Sequence, residues 1–131
     1  MPHDIVNPEG LHDPVGFGYS HIATTSGDLV FIAGQYGSGP DGQVMSDDFA
    51  DQVRRSLANL DTALRAVGLD FSHVVRLGSY IVDHDEAKLE VWSRAVGEIW
   101  GAKPPAQTLL GVATLALPGM KFEVDAVAAR P

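Results

Sequence analysis

The residue with the clearest potential for chemistry is a glutamate, Glu123, in an apolar strand near the end of the sequence. A glutamate in such a strand is usually exposed to solvent. If its face of the sheet is an interface between subunits, the carboxyl is partly desolvated, its pKa rises and it suits proton transfer. Apolar and acidic residues alternate here with the period of two typical of a β-strand: Phe122, Glu123, Val124, Asp125 and Ala126.

The other reactive side chains form no catalytic or metal-binding pattern. None of the histidines is spaced as a paired metal ligand on a helix, so no metal site is expected. Ser20 and His21 are adjacent and therefore point to opposite faces of a strand, which prevents a nucleophile-base pair by that adjacency. The acidic run at residues 83–86 precedes a predicted helix, where capping of the free helix amides is favoured over metal binding. The histidines are His3, His12, His21, His73 and His84.

The composition is typical of one intracellular globular domain. The chain has 131 residues, enough for one hydrophobic core but not for a second, so residues 1–131 are expected to form a single domain. It lacks cysteine, and 17 acidic residues against 9 basic ones give a formal charge of -8, which opposes the binding of nucleic acid. The N-terminus has no signal-peptide pattern, and the longest apolar run, residues 29–33, is too short to cross a membrane. We therefore expect a cytoplasmic location, no membrane partner and no cofactor.

Hydrophobic periodicity predicts two amphipathic helices among about six strands. The Ser26-Gly27-Asp28 turn predicts a β-hairpin between the second and third strands, and Pro104-Pro105 exclude a helix near the end of the chain. With a short first strand in the irregular lead-in at residues 4–18, the order is β-β-β-α-β-α-β-β. The remaining predicted elements are strands at residues 19–24, 29–34 and 73–82, helices at residues 48–67 and 85–100, and two strands within residues 103–129.

The strand at residues 73–82 is apolar on both of its faces. Two helices can cover one face of a sheet, and a chain of this length has no further elements to lay on the other face. We therefore predict that the uncovered face packs against copies of the same chain in a homo-oligomer. The two faces carry Val75, Leu77 and Ile81, and Val74, Tyr80 and Val82.

Six segments follow one another along the sequence in a characteristic order. They are Tyr19, Phe31-Ile32-Ala33-Gly34-Gln35, the helix at residues 48–68, the strand at residues 74–82, Pro105-Ala106, and Phe122-Glu123-Val124-Asp125-Ala126. In order and spacing they resemble the YjgF-like or Rid (reactive intermediate deaminase) family over nearly the whole chain. The resemblance implies an α+β, chorismate-mutase-like fold, with a mixed β-sheet of about six strands and two helices packed on one face. It also implies a homotrimer whose sheets form an inner barrel, with clefts for small molecules between adjacent subunits.

For function, the resemblance implies hydrolysis of enamines and imines from amino-acid metabolism, with release of a 2-oxo acid and ammonia. In active members an arginine after Pro-Ala binds the substrate carboxylate, and a glutamate in the last strand lies near an activated water. By this resemblance Glu123 is the catalytic residue. The substrate-binding positions are Tyr19, Ala33, Gly34, Ser93, Gln107 and Leu109.

Gln107 occupies the position of the family's arginine and is the main departure from the pattern. An amide lacks the charge and the two-pronged donor geometry of a guanidinium, and loss of such a contact weakens binding by about 1.5–3 kcal/mol. The sequence leaves open a neutral or amide-bearing ligand, or another basic residue, such as Arg76 or Lys121, in place of the missing charge.

Three functions remain open on the sequence alone. The first is a divergent imine or enamine hydrolase in which Glu123 activates water, with weak activity on 2-aminoacrylate. The second is a trimer that binds a metabolite without turnover, suggested by the joint loss of the family's arginine, serine and asparagine, whose positions Gln107, Ala33 and Ser93 occupy. The third is a pathway-specific catalyst that acts on an unusual imine or conjugated amine. RNA cleavage, sometimes attached to this family, is disfavoured by the acidic balance.

Overall fold

The chain alternates strands and helices in the order β1-β2-β3-α1-β4-α2-β5-β6, which is the order predicted from the sequence. The structure is a computed structural model that describes residues 3–131. Within this range the strands are β1 (His3–Val6), β2 (Ile22–Thr25), β3 (Asp28–Gln35), β4 (Val74–Val82), β5 (Ala106–Val112) and β6 (Phe122–Arg130). The helices are α1 (Phe49–Ala66) and α2 (Glu86–Trp100), and short 3-10 turns lie at Val15–Phe17 and Phe71–His73.

Four strands form the main sheet, and two form a separate ribbon. The main sheet has the order β3-β6-β4-β5, in which β4 and β5 are parallel and the other two pairs are antiparallel. β1 and β2 pair antiparallel in the ribbon. The predicted α+β fold with a mixed sheet is therefore confirmed, with its six strands distributed over two sheets.

The predicted hairpin between β2 and β3 is wrong. β2 pairs with β1, whereas β3 pairs with β6, starting with Asp28 opposite Arg130. β3 pairs with β6 because of the turn at Gly27, which has a φ of +102° and packs against the end of β6. A Cβ at Gly27 would lie 2.3 Å from the carbonyl oxygen of Arg130. The turn therefore directs the chain into the main sheet at once, in a conformation that favours glycine.

Both helices begin with an aspartate as the N-cap. Asp48 accepts a hydrogen bond from the amide of Asp51 at 2.9 Å, and Asp85 accepts one from the amide of Lys88 at 2.8 Å. The capping interpretation of the acidic run is therefore confirmed for Asp85. α1 ends before Gly68, whose φ of +77° is the left-handed conformation expected at a helix C-terminus. Neither helix in the described range is long and apolar enough to cross a membrane.

The core lies between the helices and one face of the main sheet. Trp92 of α2 and Phe122 of β6 are fully buried, with ring centroids 4.8 Å apart. Burial of one large apolar side chain stabilises a fold by about 1.5–3 kcal/mol, so many such contacts fix the helices to the sheet. The remaining core includes Val53, Leu57, Leu60, Leu64, Leu77, Ile81, Val96, Val124, Ala126 and Ala128.

The opposite face of the main sheet keeps large apolar side chains exposed. Phe31 of β3 is 74% exposed, and Leu110 of β5 is 50% exposed. Val74 was predicted to share a face with Tyr80, which lies on this side of the sheet, but Val74 is buried in the core instead. The pairing of β4 with β6 shifts register between Val74 and Arg76, and this bulge turns Val74 toward the helices. We refer to the helix-free side of the main sheet as the open face.

Candidate functional site

A cleft of about 590 Å³ lies between β5, α2 and the irregular segment before β2. Its volume falls within the range of about 300–1,000 Å³ that is typical of small-molecule pockets. The walls combine aromatic and aliphatic side chains with two imidazoles, a phenol and an amide. Three of the predicted substrate-binding residues, Tyr19, Gln107 and Leu109, are among those that line it. The complete lining is His12, Phe17, Tyr19, His84, Leu89, Trp92, Gln107, Thr108 and Leu109.

One wall of the cleft is shaped by a tight turn that α2 holds in place. The 3-10 turn Val15–Phe17 ends at Gly18, which has a φ of +90°. The hydroxyl of Ser93 donates to the carbonyl of Phe17 at 2.9 Å, and a Cβ at Gly18 would lie 3.1 Å from Ser93 Cα. Ser93 therefore supports this wall from behind and is not among the nine lining residues. A direct contact between Ser93 and a ligand stays a prediction.

Gln107 is held by three hydrogen bonds within the chain. Its Oε1 accepts from the hydroxyl of Ser79 at 2.8 Å and from the indole N–H of Trp92 at 2.6 Å. Its Nε2 donates to the carbonyl of Gly18 at 2.7 Å. Both acceptor positions of the amide oxygen are thus occupied, and one N–H is left for a ligand. Gln107 joins β4, α2 and the turn before β2, so it builds the cleft as well as lining it.

Glu123 lies on the open face, against the backbone of β3. A Cβ at Gly34 would lie 2.4 Å from Glu123 Oε2, so the carboxylate can hold this position only beside a glycine. The pairing of β3 with β6 shifts register at this point, and the irregularity includes Ala33 and Gly34. Burial, and then the negative charge of Asp125, raises the pKa of the Glu123 carboxyl.

A phenol and a second carboxylate accompany Glu123 on the open face. Tyr80 lies opposite Glu123 in the register of β4 with β6, and its hydroxyl donates to Asp125 Oδ2 at 2.7 Å. This hydrogen bond to a carboxylate, and then burial, raises the pKa of Tyr80. Gly78 provides the space, because a Cβ there would lie 2.5 Å from Asp125 Oδ1. Two acids beside a phenol form a group suited to exchanging protons with water.

The predicted site residues form two separate groups within one chain. Tyr19, Gln107 and Leu109 line the cleft. Glu123 and Gly34 are in contact on the open face. The amide of Gln107 points to the helix side of the sheet, and β4 separates its strand from that of Glu123. A single chain therefore does not bring the glutamate to the cleft.

The cleft also contains side chains to which the sequence analysis assigned no function. His12 Nε2 lies 2.6 Å from Tyr19 Oη, and Phe17 and His84 line the same cleft. The signal in the sequence is a high density of rings between His12 and His21. The irregular backbone there gives no period from which a shared face could be predicted. In the described part of the chain, no group of three or more histidines, aspartates and glutamates could hold a metal ion.

Known proteins match this sequence over most of its length. Residues 12–130 match the family described as endoribonuclease L-PSP. The chain is 36% identical over 127 residues to the RutC family protein YjgH of Escherichia coli strain K12, covering 96% of this chain and 94% of that protein. It is 31% identical over 100 residues to the 2-iminobutanoate/2-iminopropanoate deaminase of Homo sapiens, covering 76% of this chain and 71% of that protein.

Solved structures share the same fold. The Rid-family protein YyfB of Yersinia pestis, a protein of unknown function, has a TM-score of 0.94 at 36% identity, covering 99% of this chain and 100% of that chain. Escherichia coli TdcF, solved with bound serine, has a TM-score of 0.68 at 28% identity, covering 82% of this chain and 85% of that chain. The arrangement of two helices on a mixed sheet is therefore common to all three.

Proposed function

We propose that this chain, which belongs to the YjgF/Rid family described as endoribonuclease L-PSP, hydrolyses small imines or enamines to a carbonyl compound and ammonia. The observation that carries the proposal is the Glu123 carboxyl, which lies against Gly34 and whose pKa is raised by burial and by Asp125. A carboxyl of this kind is suited to taking a proton from water and returning it. Relatives named 2-iminobutanoate/2-iminopropanoate deaminase, in Homo sapiens and Rattus norvegicus, support the reaction class.

In the proposed reaction Glu123 acts as a general base. Its carboxylate accepts a proton from a water whose oxygen bonds to the imine carbon, while the C=N double bond becomes a single bond. Glu123 returns this proton to the nitrogen, which gives the neutral carbinolamine. The hydroxyl proton of the carbinolamine then passes through Glu123 to the same nitrogen as the C=O bond forms and the C–N bond breaks, which releases ammonia. One imine and one water thus give one carbonyl compound and one ammonia, so the reaction needs no oxidant, reductant or cofactor.

We further propose that the site is completed between subunits of a homotrimer. The separation of Glu123 from the cleft within one chain supports this arrangement, as does the exposure of Phe31 on the open face. Packing of the open face against a neighbouring copy covers apolar surface that a monomer would expose to water. In the trimer the Glu123 of one subunit faces the cleft of the next, where Tyr19 and the remaining N–H of Gln107 hold the substrate.

The test is hydrolysis of 2-iminobutanoate, generated in solution by an amino-acid oxidase and measured as ammonia release above the rate in buffer. Glu123→Gln keeps the shape of the side chain but removes the base, and we expect the rate to fall by about 10²–10⁴-fold. Glu98→Gln removes an exposed carboxylate on α2 and should keep the wild-type rate. A wild-type rate equal to that in buffer, or an unchanged rate in Glu123→Gln, would overturn the proposal.

The second candidate is a trimer that binds a metabolite without turnover. It is favoured by one observation: the amide of Gln107 is engaged within the chain, and no guanidinium is present among the cleft-lining residues. A thermal-shift screen with small 2-oxo acids and amides tests it, because a ligand that binds the folded state raises Tm. A ligand that raises Tm and is recovered unchanged, without any imine hydrolysis, would select this candidate over the hydrolase.

RNA cleavage, which the family description names, is opposed by charge. The chain has a formal charge of -8, and no lysine or arginine is among the nine residues that line the cleft. Phosphate contacts from basic residues supply most of the affinity for nucleic acid. We therefore assign the cleft to a small molecule.

A further inference from the structure

Two glycines on neighbouring strands each leave room for one carboxylate on the open face. Gly34 of β3 faces Glu123, and Gly78 of β4 lies opposite Asp125 in the register of β4 with β6. A Cβ at Gly78 would lie 2.5 Å from Asp125 Oδ1 and 2.8 Å from the hydroxyl oxygen of Tyr80. A larger residue at Gly78 would therefore displace both the second carboxylate and the phenol that binds it.

Asp125 lies on the same face of β6 as Glu123. Residues two positions apart in a β-strand point to the same side and are separated by about 6–7 Å. A negative charge at this distance disfavours the ionised form of another carboxyl, and after burial it is the second cause of the raised pKa of Glu123. The charge on Asp125 therefore makes the carboxylate of Glu123 a stronger base.

Tyr80 stabilises both the position and the charge of Asp125. Its hydroxyl donates to Asp125 Oδ2 at 2.7 Å, and a hydrogen bond donated to a carboxylate favours the charged form. The same hydrogen bond raises the pKa of Tyr80, so the phenol keeps its proton and remains a donor at neutral pH. Asp125 is thus held as an anion while Glu123 exchanges a proton with water.

The basic residues of β4 and of the start of β6 are engaged elsewhere. Arg76 donates to the carbonyl of Leu77 at 3.0 Å, and Lys121 pairs with Asp47 at 3.3 Å. Neither of the two lines the cleft. Among the described residues of the strands that flank Glu123, the titratable and charged groups on its side of the sheet are Arg76, Tyr80, Lys121 and Asp125. The charge that raises the pKa of Glu123 is that of Asp125.

We propose that Asp125 and Tyr80 form a positioning pair for Glu123, in which Asp125 holds a fixed negative charge beside the carboxylate that takes the proton from water. The inference rests on the proposed hydrolysis, because the pair acts only through Glu123. A base of higher pKa accepts a proton more readily, provided that the pH lies above that pKa. Asp125 therefore increases the rate at neutral pH and decreases it at acidic pH, where it keeps Glu123 protonated.

The test is an NMR titration of the side-chain carboxyl carbons of the full chain, in which Glu123 is identified by the signal that Glu123→Gln lacks. Asp125→Asn keeps the shape of the side chain and an acceptor for the Tyr80 hydroxyl but removes the charge. We expect Glu123 to titrate at a lower pH in this variant than in the wild type. Asp28→Asn is the matched control, because Asp28 is exposed at the far end of β3, opposite Arg130, and its removal should leave the titration unchanged.

Imine hydrolysis gives a second readout, expressed as the ratio of the variant rate to the wild-type rate at each pH. For Asp125→Asn we expect a rate about two- to tenfold below the wild type at about pH 8, and a ratio that rises as the pH falls toward about 5. A residue that only supports the fold would lower the rate by a similar factor throughout. A ratio that is constant, or that decreases as the pH falls, would overturn the inference.

Tyr80→Phe keeps the test decisive if Asp125→Asn does not fold. This variant retains the ring but removes the donor, so Asp125 is no longer fixed beside Glu123. We expect the titration of Glu123 to move in the same direction as in Asp125→Asn, by a smaller amount. An unchanged titration of Glu123 in either folded variant would contradict the positioning role.

These outcomes are separate from those that test the hydrolase, because the titration is measured without turnover. Hydrolysis that depends on Glu123, with the wild-type titration of Glu123 in Asp125→Asn, overturns only the role of the pair. A titration of Glu123 that depends on Asp125, in a protein that does not hydrolyse imines, overturns only the proposed reaction.

Discussion

At the residue scale, the environment of Glu123 links its charge to the stability of the fold. Burial and Asp125 raise the pKa of Glu123 in the folded chain above its ordinary value. Between the ordinary and the raised pKa, the folded chain holds a proton that the unfolded chain has released. The contribution of Glu123 to stability is therefore fully present below the ordinary pKa and is lost as the pH rises through the raised one. At neutral pH the buried carboxylate of Glu123 therefore lowers the free energy of unfolding, as is common for proton-transfer groups.

In contrast to Glu123, Gln107 contributes directly to the stability of the fold, although it lies at a predicted ligand position. Ser79 and Trp92 are fully buried, and Gln107 accepts their hydrogen bonds. Gln107→Leu leaves both donors unpaired, at about 1–3 kcal/mol for each buried group. We expect the free energy of unfolding, measured by urea denaturation, to fall by about 2–6 kcal/mol.

Gln43→Leu is the matched control for Gln107→Leu. Gln43 is exposed in the loop before α1, and surface substitutions of this kind change stability by less than about 0.5 kcal/mol. Similar unfolding free energies for the two variants would show that the hydrogen bonds of Gln107 do not stabilise the fold.

At the element scale, α2 connects the core with the cleft. Trp92 packs on Phe122 in the core and also donates to Gln107 in the cleft wall. One position further along, Ser93 holds the turn that carries Phe17. α2 therefore holds two walls of the cleft in a fixed position relative to the sheet. A displacement of α2 would change both walls together.

The contact between β3 and β6 positions the carboxylate of Glu123, and Gly34→Ala tests it. A Cβ at Gly34 meets Glu123 Oε2 at 2.4 Å, so the side chain must move away. Displacement of a catalytic group by about 1 Å can lower a rate by about 10²-fold, and we expect a loss of that order in imine hydrolysis. The rate is measured by ammonia release, alongside Tm.

Gly97→Ala on α2 is the control for Gly34→Ala. Nothing lies within 4 Å of a Cβ at Gly97, and alanine in a helix is more favourable than glycine by up to about 1 kcal/mol. We expect the wild-type rate and an unchanged or higher Tm for this variant. A wild-type rate in Gly34→Ala would mean that the position of the carboxylate does not limit the reaction.

At the scale of the whole molecule, the open face determines the assembly that we propose. Its exposed apolar residues include Phe31, at 74% exposure, next to the acids of β6. Light scattering should give a mass of about three times 13.9 kDa for the wild type. Phe31→Asp places a charge where the proposed interface is apolar, and we expect the mass to fall toward that of one chain with the loss of imine hydrolysis.

Val67→Asp introduces the same charge at an exposed position in the helix layer and should leave the mass unchanged. A wild-type mass of one chain would contradict the trimer, and so would an unchanged mass for Phe31→Asp.

The sequence by itself determined the elements and the family. Both helices, and capping by the acidic run at residues 83–86, were predicted, because capping and helical periodicity depend on residues a few positions apart. The number of helices likewise predicted that one face of the sheet would lack cover. The order of motifs, including the glutamate of the last strand, identified the Rid family.

Only the tertiary structure decided which strands pair and which side chains meet. β2 pairs with β1 although a hairpin with β3 was predicted, and Gln107 meets a carbonyl 89 positions away in the chain. His12 and His84 line one cleft although no local pattern relates them. Contacts between residues so distant in sequence depend on how the whole chain packs, and each local segment is compatible with several partners. For this reason the strand that carries Glu123 could be predicted from the sequence, whereas the engaged amide of Gln107 and the imidazole beside Tyr19 could not.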